Sequence, residues 1–126
     1  MRRVYDPRKF ADLANDLLVD GKYERESRAR TAIGRAYYAA FLIAHRKLRE
    51  QGVRIPETGK IHQVVIQTFI EKGLSMIGNP LNQLREKRVD ADYHMDSSIT
   101  VSLGKRCARL SEYVIQLIEE IRDLRR

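Results

Sequence analysis

Between residues 29 and 48, Ala29, Ala32, Ile33, Ala36, Tyr37, Ala40, Phe41, Ala44 and Leu48 recur at steps of three and four. A stripe of this length fits one face of an α-helix, since a half-buried strand would alternate instead. It predicts a long helix over residues 24–51. Because the stripe is rich in alanine, neighbouring backbones can approach it closely. Arg28, Arg30, Arg35, Arg46, Lys47 and Arg49 fall mostly off it. A long apolar stripe needs other elements to cover it, and the rest of the chain offers helices.

Glycine and proline divide that remainder. Residues 7–19 read as a first helix, with Asp6 as N-cap, Pro7 in the first helical position, and Phe10, Leu13, Ala14, Leu17 and Leu18 on one face. Gly52 and Pro56 mark a loop that reaches Gly59. A third helix is expected over residues 60–72, with Ile61, Val64, Val65, Thr68 and Phe69 inward and Gly73 as its cap. Residues 74–78 read as a short apolar connector with one irregular turn. Asn79-Pro80 then reads as N-cap and first residue of a fourth helix carrying Leu81 and Leu84 inward. A last helix is expected from near residues 97–100 to the C-terminus. Leu103, Cys107, Leu110, Val114, Leu117, Ile121 and Leu124 alternate steps of four and three along it. That is a heptad seam, which Ile115 and Ile118 would widen toward a partner in a dimer. Arg122, Arg125 and Arg126 would suit the negative end of its dipole. No Asn-Gly or Asp-Gly turn joins two alternating runs, so strand signals are nearly absent. The expected fold is all-α, an up-and-down bundle of four or five helices in one domain spanning residues 1–126.

Composition narrows the function classes. The 126 residues carry 24 Lys+Arg against 17 Asp+Glu, a net charge of +7. The balance makes an acidic partner plausible, nucleic acid first. The apolar run at residues 36–44 is far short of the ~20 residues that cross a bilayer. No apolar stretch follows the N-terminal charges, so no secretory leader is expected. A single cysteine, Cys107, excludes an internal disulfide framework and a cysteine-cluster zinc site. A cytoplasmic protein without membrane, metal or cofactor is the expectation.

Most catalytic signatures are missing: no glycine-rich phosphate loop, no Gly-x-Ser-x-Gly elbow, no His-Glu-x-x-His. His45 and His62 read as incidental. Tyr37 and Tyr38 read as packing residues rather than base platforms, and Cys107 as a buried apolar group. The segment from Arg85 to His94 is different, since a basic cluster of Arg85, Lys87 and Arg88 leads to an imidazole. RNA cleavage needs that pair of tools. An imidazole takes the proton of the ribose 2′-hydroxyl near neutral pH, and a guanidinium holds the charge growing on phosphorus. Geometry sets a condition, because residues 88 and 94 lie about 240° apart around an ideal helix. The helix must end before His94, or the two groups must act across a symmetric interface. The plainer reading of Arg88 is an i,i+4 ion pair with Asp92.

Two stretches carry a family resemblance. The first is Arg28-Ala29-Arg30-Thr31-Ala32-Ile33-Gly34-Arg35-Ala36-Tyr37-Tyr38-Ala39-Ala40-Phe41. The second is Arg88-Val89-Asp90-Ala91-Asp92-Tyr93, followed by Asp96-Ser97-Ser98-Ile99-Thr100. Together they resemble the HEPN domain, and within it the small stand-alone prokaryotic branch, over residues 10–117. The resemblance implies a helical bundle that dimerises. It also implies a superfamily with metal-independent endoribonucleases of toxin–antitoxin and defence systems, whose signature is an Arg and a His with four to six residues between them, at a dimer cleft. Arg88 and His94 fit that spacing. They would be the catalytic pair, with Arg85 and Lys87 binding RNA. Related proteins are often encoded beside a minimal nucleotidyltransferase acting as antitoxin, so a non-catalytic module that pairs with such a protein or binds a nucleotide is the alternative. Val89 stands where active members carry a polar residue, and Asp96 where antitoxin-modified members carry tyrosine.

Overall fold

A computed structural model describes residues 3–19 and 21–124. They form five helices: α1 (Arg8–Val19), α2 (Arg25–Glu50), α3 (Ile61–Glu71), α4 (Ser75–Tyr93) and α5 (Val101–Glu119), with no strand among the described residues. α2 is the axis of the bundle, packing on all four other helices. Every residue of its predicted stripe is buried. Its start is fixed by the Glu24 carboxylate, which accepts from the backbone N–H of Glu26 and Ser27. Asp6 does the same for α1, accepting from the Arg8 N–H at 3.0 Å. The α1 face differs from the expected one at Leu13, which is exposed, whereas Ala14 and Leu18 are buried. On α3 the buried residues are Val65, Ile66 and Phe69. Ile61, Val64 and Thr68 reach only half-burial.

Residues 74–78 are not a connector between helices: all but Leu74 are helical. α4 begins at Ser75 and runs through Asn79 and Pro80, so this pair does not start the helix. The cause lies at Gly73 and Gly78. Gly73, at φ 80°, turns the chain as the C-terminal cap of α3, with the Leu74 N–H returning to the Phe69 carbonyl at 2.9 Å. Gly78 then sits where α4 crosses α3. A Cβ there would lie 2.5 Å from Ile70 Cγ1 and 3.0 Å from the Ile66 carbonyl oxygen. Gly78 is thus a close-packing residue inside a helix, not a break in one.

α5 also departs from expectation. Its inward face is Gly104, Cys107, Ala108, Ser111, Val114, Ile115 and Ile118. Ile115 and Ile118 therefore belong to the chain's own core and do not extend a seam toward a partner, while Leu103, Leu110 and Leu117 are only half-buried. The face is set by small residues. Gly104 packs against Leu18 of α1 and Ala29 of α2. Ser111 is fully buried and donates to the Ala36 carbonyl at 2.7 Å. Ala108 joins Ala14, Leu18, Ala32 and Ala36 in one cluster.

The helix ends at Glu119 rather than continuing to the C-terminus. Leu124 folds back into the core, its N–H donating to Gln51 Oε1 at 3.1 Å. Lys47 donates to the Ile121 carbonyl and Lys72 to the Leu124 carbonyl, so cations on α2 and beside α3 meet the backbone oxygens of this tail. Arg122 consequently lies beyond the helix, and Arg125 and Arg126 lie outside the described residues.

Candidate functional site

The C-terminal end of α4 gathers the sequence-marked residues. The helix stops at Tyr93, and His94 is its C-cap at φ −104° and ψ 90°. The helix thus ends before the histidine, one of the two alternatives that the 88–94 spacing posed, although this end alone does not bring Arg88 and His94 together. The segment after it is held from α2. Arg30 donates from Nη1 to the carbonyls of Asp90 (3.3 Å), Ala91 (2.9 Å) and His94 (3.2 Å), and from Nη2 to that of Ser97 (2.9 Å). Its Nε meets Glu26 at 2.8 Å. One half-buried guanidinium thus satisfies carbonyls that a helix end leaves without partners and carries the positive charge that end favours. Sequence reasoning placed Arg30 only off the apolar stripe. Arg28 likewise is buried, donating to the Tyr23 and Leu17 carbonyls at 2.9 and 3.0 Å. Neither role is local in sequence, and an arginine near an alanine stripe gives no sign of which carbonyls it will meet.

His94 is exposed, and its Nδ1 lies 2.7 Å from Asp90 Oδ1. A carboxylate on Nδ1 fixes the ring and its tautomer, leaving Nε2 for a proton to be taken or given. Tyr93 and Met95 on either side are each 69% exposed.

Arg88 has different surroundings. Its side chain is 13% exposed, its Nη2 donates to the Tyr38 hydroxyl at 2.9 Å, and its Nη1 lies 3.6 Å from Asp92 Oδ2. The guanidinium carbon sits 5.2 Å from the centre of the Tyr38 ring and 5.8 Å from that of Tyr37. Its Nε is buried without a hydrogen-bond partner. Asp90 and Asp92 lie two residues apart, nearly opposite each other around the helix. The Arg88–Asp92 and Asp90–His94 pairs therefore occupy opposite sides of α4, and one chain does not bring Arg88 and His94 together.

Arg85 and Lys87 also part company. Arg85 is half-buried on the Arg88 side, with no hydrogen bond or ion pair to any described residue. Lys87 lines a groove of about 270 Å³ between α4 and α5, whose apolar floor is Leu84, Leu103, Cys107 and Leu110. Cys107 is buried, and burial pushes its thiol up, as suits an inert core group.

His62, which sequence reasoning left as incidental, is built into the structure beside Arg88. Its Nδ1 lies 2.5 Å from the hydroxyl of Tyr37, a fully buried residue, and its ring stacks on Phe41 with centroids 4.2 Å apart. It meets Tyr38 edge-on at 5.8 Å. Burial lowers its pKa, and the charges of Arg88 and Arg85 lower it further, so the ring is neutral near pH 7. Burial likewise pushes the Tyr37 hydroxyl well above its usual value, so it keeps its proton. His45, stacked on Phe41 farther along α2, is lowered by burial and by Arg49. Among the described residues no group of three or more His, Cys, Asp or Glu could hold a metal ion, and no helix is long and apolar enough to cross a membrane.

The family model described as the HEPN domain matches residues 8–121. No curated protein matches the chain.

Proposed function

The chain belongs to the HEPN domain family, and from that premise we propose that it is an RNA-cleaving member whose site is completed by a second copy of the chain. The observation that carries this reading is the Asp90–His94 contact, which presents an oriented imidazole on an exposed turn held by Arg30. His94 Nε2 takes the proton of the ribose 2′-hydroxyl. The resulting alkoxide attacks the adjacent phosphorus, the bond from phosphorus to the 5′-oxygen breaks, and the His94 imidazolium gives its proton to that leaving oxygen. Arg88, displaced from its loose contact with Asp92, and Arg85 hold the charge on the phosphoryl oxygens. Because Arg88 and His94 lie on opposite sides of α4, the Arg88 of one copy would work with the His94 of the other. The chemistry needs only these side chains.

A second reading has its own observation. Arg88 is already engaged by Tyr38 and Asp92 and stacked over two rings. That arrangement suits a non-catalytic HEPN module that pairs with a nucleotidyltransferase or binds a nucleotide. Incubation of purified protein with single-stranded RNA and a chelator, at several salt concentrations, separates the two. The first reading expects cleavage that weakens with salt and is abolished by His94→Ala without loss of helical signal. Equal activity in the variant, or none in either protein, favours the second.

A further inference from the structure

We propose that Tyr38, His62, Arg85 and Arg88 frame a phosphate-binding subsite at the meeting of α2, α3 and α4, on the side of α4 away from the same chain's His94. The cluster has donors without acceptors. Arg85 has no partner among the described residues, and Arg88 Nε is buried without one. The Tyr38 hydroxyl accepts from Arg88, so its own proton remains to be given. His62 supplies a fourth donor by the following logic. The buried Tyr37 hydroxyl retains its proton and, among the described residues, meets His62 Nδ1 alone. Nδ1 is then the acceptor, and in the neutral ring the hydrogen is on Nε2. Asp92, the carboxylate at this cluster, reaches Arg88 alone.

Two fixed positive charges and two neutral donors, from three helices, thus face one carboxylate. Donors arriving from several directions match a tetrahedral oxyanion, whose oxygens point apart. A planar carboxylate offers two oxygens in one plane and would leave some donors unmet. The Tyr38 ring beside the guanidinium adds an aromatic surface against which a base can lie. The ligand is therefore a phosphate group of RNA or of a free nucleotide. The inference deepens the proposed function and rests on it where the two share Arg85 and Arg88, adding Tyr38 and His62 to the residues that hold the phosphate, and it is read by binding, without cleavage.

The probes are a fluorescent 2′-O-methyl oligouridylate, which has no free 2′-hydroxyl to react, and uridine monophosphate. Affinities are compared for wild type, Arg85→Gln, His62→Gln and Arg109→Gln, the last an exposed cation on α5. The expected result is a loss of about tenfold or more for the first two variants, the scale of a hydrogen bond to a charged group, and a much smaller loss for Arg109→Gln. In wild type, the ring carbon-bound protons of His62 should shift in NMR spectra on titration with the tighter probe. A stronger oligomer signal assigns the subsite to RNA, and an equal or stronger monophosphate signal assigns it to free nucleotide. If Arg85→Gln binds both probes as Arg109→Gln does, or if His62 signals stay fixed at saturation, the proposal is overturned. Arg85 has no partner among the described residues, so its variant tests the subsite even if His62→Gln unfolds. Intact binding without cleavage would remove the nuclease reading alone.

Discussion

Arg30 on α2 donates to the backbone carbonyl of His94 at 3.2 Å across sixty-four residues of chain. The same guanidinium takes carbonyls on both sides of that histidine, so the side chain that orients the turn belongs to the helix at the centre of the bundle.

Arg30→Gln should therefore loosen the turn more than the bundle. Hydrogen bonds to a charged group contribute roughly 1.5–3 kcal/mol, and this side chain is largely buried. A loss of about that size is expected in urea denaturation. Amide exchange at residues 94–99 should accelerate well beyond the exchange of α2 and α5 amides. Uniform acceleration throughout the chain would mean the guanidinium serves only global stability.

Mixing two inactive variants tests the composite site. If Arg88 of one copy acts with His94 of another, Arg88→Ala and His94→Ala chains refolded together should regain about a quarter of wild-type cleavage. Half the random dimers are mixed, and each of those restores one of two sites. Asp90→Asn, which keeps shape but loses the charge on Nδ1, should fold normally and cleave at least about tenfold more slowly. A mixture as inactive as its components would place both groups in one chain's site or in none.

Gly78→Ala should destabilise although alanine is the better helix former by about 1 kcal/mol. The new methyl would meet Ile70 and, less forgivingly, the Ile66 carbonyl oxygen. Overpacking of this kind costs about 1–3 kcal/mol, so a net loss is expected in thermal or urea unfolding. An equal or raised midpoint would show that α3 and α4 can separate freely at this crossing.

Acid should weaken the fold beginning near neutrality. Burial and the charges of Arg88 and Arg85 depress the folded-state pKa of His62, and burial and Arg49 depress that of His45. The unfolded chain, with histidines near 6.5, then binds protons first as pH falls. The stabilising contribution is whole above that value and is lost as pH drops from there toward the lower folded pKa. Urea midpoints at pH 7.5 and 5.5 should differ for wild type and differ less for His62→Gln. Identical pH slopes would show that His62 takes up its proton equally well in both states.

The parts of the fold written in local pattern were legible. The α2 stripe, the Asp6 cap and the Gly73 cap depend on residues a few positions apart, and each stands where its pattern puts it. What depended on a distant neighbour was not. The apolar alternation along α5 outweighed Gly104, Ala108 and Ser111, whose meaning appears only against Ala29, Ala32 and Ala36 of α2. Gly78 and Asn79-Pro80 carried a break signal that the α3 contact overrides. At the site, the 88–94 spacing posed a helix end before His94 as one of two alternatives, and α4 does end at Tyr93. The spacing could not show that Arg88 turns to Tyr38, nor that His62 from another helix stands beside it. A histidine on an apolar face carries no mark of its partners.

Where α2 and α5 cross, Ala36 meets Ser111 and Ala29 meets Gly104, leaving almost no side chain between the two backbones. Helices so near cannot shear past one another without collision, since sliding needs compliant side chains to re-settle. α2 and α5 therefore move as one body, and through Arg30 that body carries the turn that presents His94.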